Sequence, residues 1–171
     1  TINAKNIEIT ADLGSVETVE NFVTPYREHI DKDLSKVISF SPVAMDKSKG
    51  KWETTIGNLF AEATLEEVNP VFKSRYNKDI DICMLNHGGI RSIISEGNVT
   101  TRTAFEVMPF ENSAIVVELK GAQILELAQF MIAEERAHPL AGITIHIDLN
   151  KNIKNIKIKN QDLDINKTYY V

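Results

Sequence analysis

Apolar positions recur along the chain at two different spacings. Val19, Phe22, Val23, Tyr26 and Ile30 follow a helical period, with Ser15 as a candidate N-cap. Pro25 falls inside this stretch and predicts either a kink or a later start. Val37 to Phe40 reads as a short strand and Asp46 to Gly50 as a polar loop. A second helix is expected from about Thr54, burying Ile56, Leu59, Phe60 and Ala63, with Pro70 as its breaker. Ile80 to Leu85 is mostly apolar, the mark of a central strand. Thr100 to Val107 predicts a short helix and Ala114 to Leu119 another strand. From Gly121 to Arg136, the positions Ile124, Leu125, Ala128, Met131 and Ile132 form one helical stripe.

After that helix the period changes to two. Ile143, Ile145 and Ile147 alternate with Thr144, His146 and Asp148, and Ile156 and Ile158 alternate with lysines. Asn150-Lys151-Asn152 between them predicts a hairpin turn. Tyr169-Tyr170-Val171 reads as the start of a further strand. Helices alternate with strands, but the late hairpin breaks a purely parallel pattern. The expected class is therefore α+β: one domain, residues 1–171, with a mixed β-sheet packed against helices.

Bulk properties narrow the field. A chain of 171 residues, 43% of them hydrophobic, suits one domain, since such a domain buries about 70% of its unfolded surface. The net charge of -5 makes a poor general binder of nucleic acid. No run of eighteen apolar residues predicts a transmembrane segment. The single cysteine, Cys83, sits in an apolar strand and reads as a small buried hydrophobe. His29, His87, His138 and His146 are scattered and form no metal-ligand motif. Glu66-Glu67 and Glu134-Glu135 read as solvated helix faces, not as an acid/base pair. No nucleophile elbow or phosphate-binding P-loop is present, so no catalytic residue is assigned.

One stretch stands apart. In "LNHGGIRSIISEGNVT" a strand ends in Asn86-His87-Gly88-Gly89, and Arg91 follows. Ligands in open sheets often lie beyond strand ends, and glycines allow close approach to the backbone. Asn86 offers a donor and an acceptor; Arg91 offers a planar fork for phosphate or carboxylate. A tight turn with a surface arginine accounts for the same residues. Phe110, in the turn "MPFEN", is open to two readings: a core anchor or a platform for a stacked base.

Taken together, "ETTIGNLFAEA" (53–63), "LNHGGIRSIISEGNVTTRTAFEVMPFENSAIVVELKGAQILEL" (85–127) and "NKTYYV" (166–171) resemble a known domain. It is the C-terminal domain of the 5'-nucleotidase / UDP-sugar hydrolase / 2',3'-cyclic phosphodiesterase family. The likeness runs from about Ser15 to the end. It implies substrate recognition, with hydrolysis performed by a separate metallophosphatase domain that holds two divalent metal ions. It further implies that Asn86 bonds the base and that Gly88 and Gly89 form the platform beneath the nucleoside. Arg91 would reach ribose or phosphate, and Phe110 would be one of two phenylalanines that sandwich the base.

This chain departs from the pattern in several ways. It has no metallophosphatase domain, so neither cofactor nor metal is expected in it. The family's second aromatic falls beyond the strand that begins at Tyr169. Where members often carry an arginine, three positions before Glu53, this sequence has Gly50 between Lys49 and Lys51. His87 stands where many relatives have a small residue. The expected partners are thus a nucleotide or nucleoside and a metallophosphatase domain or separate subunit. The expected compartment is periplasm, cell surface or the exterior. The rival expectation is a non-catalytic binding or scaffold module that has lost nucleotide specificity.

Overall fold

A computed structural model describes residue 4, residue 6 and residues 8–171. The elements in chain order are α1 (Glu17–Leu34), β1 (Val37–Ser41), α2 (Thr55–Tyr76), β2 (Cys83–Met84), β3 (Gly97–Thr100) and α3 (Thr101–Val107). Then follow β4 (Glu118–Lys120), α4 (Gly121–Glu134), β5 (Leu140–Ala141), β6 (Ile143–Ile147), β7 (Ile153–Ile158), β8 (Gln161–Asp162) and β9 (Thr168–Tyr170). The α+β class holds. The strands form four small sheets, β1-β3, β2-β5, β4-β9 and β6-β7-β8, and every named pair is antiparallel.

Three departures concern helix ends. The N-cap of α1 is Val16, without a side-chain cap, and not Ser15. Pro25 lies inside α1, so it does not delay the start. α2 runs on through Pro70 to Tyr76. Pro70 withdraws one backbone donor, but it sits on the exposed side with Glu66 and Glu67, where water can take the freed carbonyl. The same turn is held from below: Asn69 Oδ1 accepts from Ile80 N–H at 2.7 Å, and Lys73 pairs with Asp79 at 3.0 Å. Asn77 then ends the helix in the left-handed region. The buried face of α2 is Ile56, Gly57 and Ala61, with Phe60 half-buried, while Leu59 and Ala63 are exposed.

The strand expected over Ile80–Leu85 is reduced to Cys83–Met84 and is not central, since β2 pairs with β5 alone; most of the other expected elements appear close to where the pattern puts them. Thr100 caps α3 through a reciprocal bond with Thr103. Ile124, Ala128 and Met131 are the buried stripe of α4. Between β6 and β7, Asp148 accepts from Asn150 and Asn152 N–H groups, and Lys151 takes the positive φ. The strand expected from Ala114 is shorter: β4 proper starts at Glu118, with Val117 pairing to Val171 just before it.

Two apolar clusters organise the molecule. Ile82, Ile124, Ile158 and Tyr169 join the segment entering β2 to α4, β7 and β9, and Ala128, Met131 and Ile156 extend this core along α4 and β7. Ile56, Ile90, Ile94 and Val107 form a separate cluster between α2, the loop after β2 and α3. That second cluster is the one that positions the candidate site.

Candidate functional site

β2 delivers the chain into Asn86, where a single 3-10 turn, His87–Gly89, begins. Asn86 caps it twice: its carbonyl accepts from Gly89 N–H at 2.9 Å and its Oδ1 from Gly88 N–H at 3.2 Å. The side-chain amide Nδ2 of Asn86 is left as a donor on an exposed residue. Neither Gly88 nor Gly89 has a positive φ. A Cβ at Gly88 would meet only the Asn86 side chain, at 3.4 Å, and a Cβ at Gly89 nothing within 4 Å. The backbone therefore does not require glycine at Gly89; what its absence of a side chain achieves is a clear surface.

The far end of the loop is locked to the second half of the site. Ile90 and Val107 are both buried in the same cluster, and Arg91 N–H donates to Val107 O at 2.8 Å. This bond holds the Asn86–Arg91 loop beside the turn that carries Phe110. The Arg91 guanidinium carbon consequently stands 5.9 Å from the centre of the Phe110 ring, a cation–π distance. Its Nη1 also approaches Gly88 O at 3.4 Å. Phe110 is 56% exposed, so its ring is not buried in the core. The ring is supported by Arg91 and presents apolar surface to solvent.

Asn86, Gly88, Gly89 and Phe110 also share one cavity of about 570 Å³ with Leu85 and Ile90. It extends down between Ile82–Leu85 and Ser113–Val117 to Val171. All five residues singled out in the sequence thus lie in one neighbourhood, with Arg91 braced against Phe110 at its edge.

Two further residues shape the loop. Lys47 Nζ donates to Ile90 O at 2.5 Å, tying the polar loop before Trp52 to the glycine turn. Nothing in the sequence distinguished this lysine from its neighbours Lys49 and Lys51. His87 turns toward the chain before β5, its Nδ1 at 2.9 Å from Ala137 O. It does not line the cavity, so it acts as a brace for the loop and does not narrow the space. Gly50 has φ +107, and a Cβ there would lie 2.0 Å from Glu53 O. In this backbone no side chain fits at that position, and an arginine would require a different loop. Lys51 is 3.9 Å from Glu135 and stands over Trp52 at 5.2 Å.

The groups gathered at the site are an amide donor, a guanidinium and an exposed aromatic ring. Among the described residues no group of three or more His, Cys, Asp or Glu side chains could hold a metal ion. Burial pushes the Cys83 thiol above its ordinary range, which suits a packed thiol and not a nucleophile.

Comparison with known proteins decides the lineage. The model of the family described as "5'-nucleotidase, C-terminal domain" matches residues 34–171. This chain belongs to the 5'-nucleotidase C-terminal domain family. Its relatives include the protein UshA of Yersinia enterocolitica, 25% identical over 97% of this chain and 30% of that protein. A 5'-nucleotidase of Vibrio parahaemolyticus is 25% identical over 95% of this chain and 28% of its own length. The fold is also that of a 5'-nucleotidase precursor from Thermus thermophilus, with a TM-score of 0.70 at 24% identity over 90% of this chain and 32% of that one. The chain therefore spans about 30% of the length of the curated relatives it matches. No helix among the described residues is long and apolar enough to cross a membrane.

Proposed function

We propose that this 5'-nucleotidase C-terminal domain recognises the nucleoside part of a nucleotide and orients its phosphate for hydrolysis by a metallophosphatase domain or subunit. Phe110 stacks on the base, the free Asn86 amide bonds its edge, and the open backbone of Gly88 and Gly89 carries the sugar. Arg91 contributes a charge-assisted contact to ribose or phosphate. Orientation is the domain's contribution, since a positioned phosphate needs no further search before reaction. Two divalent ions in the partner would supply the attacking hydroxide and stabilise charge. The reading extends to compartment: such a protein works in the periplasm, at the cell surface or outside the cell. Fractionation to the cytosol would count against that part.

The observation that carries the reading is the pairing of an exposed Phe110 ring, braced by Arg91, with a Gly89 surface that the fold itself leaves clear. The test is calorimetry with AMP, adenosine and ribose 5-phosphate. AMP is expected to bind best, adenosine less well, and ribose 5-phosphate least, because it lacks the ring that Phe110 stacks on. Equal affinity for AMP and ribose 5-phosphate would remove the base from the account. No binding of AMP or adenosine would favour the scaffold reading.

A further inference from the structure

The polar loop before Trp52 brings one lysine to the glycine turn. Met45 and Ile94 exchange backbone hydrogen bonds at 2.8 and 3.0 Å, which fastens the start of that loop to the chain beyond Arg91. The Asp46 carboxylate then folds onto Ser48, accepting from its N–H at 2.8 Å and its hydroxyl at 2.7 Å. Lys47 stands between these two residues. It is half-buried, and its Nζ donates to Ile90 O.

This ammonium has no counter-charge. Among the described residues neither Lys47 nor Arg91 makes an ion pair. Lys51, on the same loop, turns instead to Trp52 and Glu135. An ammonium carries three donors, and Ile90 O takes one of them. A half-buried cation without an anion is unfavourable, and a single carbonyl offsets only part of that cost. Arg91 meets the same turn, its Nη1 approaching Gly88 O at 3.4 Å. Two unneutralised cations are thus held at the carbonyls that precede and follow Gly89, in a chain of net charge -5. The backbone surface at Gly89 itself is clear.

We propose that Lys47 is a specificity-determining residue of this site, the second half of a two-cation clamp with Arg91 that takes the phosphate of the nucleotide. This rests on the nucleotide reading of the glycine turn and adds the residue that separates nucleotide from nucleoside. A phosphate monoester carries a charge of about -1.5 to -2 at neutral pH, more than one guanidinium balances. Arg91 offers a planar fork and Lys47 a compact point charge, so the two meet different oxygens of one group. Neither cation lines the cavity shared by Gly89 and Phe110. The phosphate is therefore held outside it, where a catalytic partner has access.

Calorimetry with AMP and adenosine on the parent, Lys47→Gln and Lys47→Arg separates this role from the tether that Lys47 forms with Ile90. Loss of the tether disturbs the turn for both ligands alike, whereas loss of the charge is felt only through the phosphate. Lys47→Gln is expected to weaken AMP by about tenfold, leave adenosine unchanged and flatten the fall of AMP affinity with added salt. Lys47→Arg should recover most of the AMP affinity. If the parent binds both ligands and Lys47→Gln keeps the parental ratio between them, the inference falls while the nucleotide reading stands. An arginine variant no better than the glutamine variant for AMP would also overturn it. A parent that binds neither ligand removes the nucleotide reading, and this inference with it.

Discussion

At Gly142 a Cβ would lie 2.1 Å from the Asp81 carbonyl oxygen, with φ at +78, whereas at Gly89 it would meet no atom within 4 Å. The first glycine lets β5 and β6 pass against the chain entering β2, and Lys159 N–H bonds its carbonyl at 2.9 Å. Gly121 belongs to the same kind: a Cβ at the start of α4 would sit 2.1 Å from Asp164 O. These glycines are demanded by packing inside the domain. Gly89 is not, and nor is Gly88: neither a backbone clash nor a positive φ calls for glycine in the turn after Asn86, and the proposed ligand contact is what would call for it. A sequence shows the same letter in both places; the space around the missing side chain separates structure from function.

Gly142→Ala should destabilise by about 2 kcal/mol or more, combining left-handed strain with a backbone clash. Urea unfolding that shows no loss would mean the turn relaxes easily. Gly89→Ala should leave stability within about 0.5 kcal/mol of the parent but weaken AMP, because the added methyl enters the surface meant for the sugar. A fully folded Gly89→Ala chain with parental AMP affinity would detach the glycine turn from ligand binding. Phe22→Ala in α1, where the ring is exposed, should also change stability by no more than about 0.5 kcal/mol. A larger loss on thermal melting would reveal packing that the isolated chain does not account for.

The smallest effect concerns pH. The Asn152 backbone and side chain, then Lys154, hold the Asp148 carboxylate down at about 2 from its ordinary 3.8. A depressed carboxylate contributes stability that is present above the unfolded value and lost as pH falls through the folded one. Asp148→Asn should therefore flatten the acid limb of a melting-temperature profile between those two values. An unchanged slope would show that the hairpin turn does not depend on that charge.

Much of the fold was legible because its signals are local. The Ile143/Ile145/Ile147 alternation, the Ile124–Met131 stripe and the short helix up to Val107 each follow from backbone period. Pro70 misled because its cost depends on what surrounds it: the exposed side of α2 tolerates a lost bond, while Asn69 and Lys73 fasten the same turn to Asp79 and Ile80. Val19, Phe22 and Ile30 gave a correct helix whose apolar face stays uncovered, which no pattern within the chain reveals. The site residues could be named from their motif, but not their arrangement. The Arg91–Val107 bond and the Lys47–Ile90 contact span 16 and 43 positions and depend on how the Ile56 cluster packs.

The central claim, that Phe110 is a stacking platform and not a structural ring, is tested by measuring AMP affinity and melting temperature on the same samples of parent and Phe110→Ala. With Phe110 more than half exposed, the melting temperature should barely move, while AMP binding weakens by about 1–3 kcal/mol. Arg91→Ala in parallel should reduce AMP binding more than adenosine binding. A sharp fall in melting temperature with Phe110→Ala, or unchanged AMP affinity in a folded variant, would contradict the account.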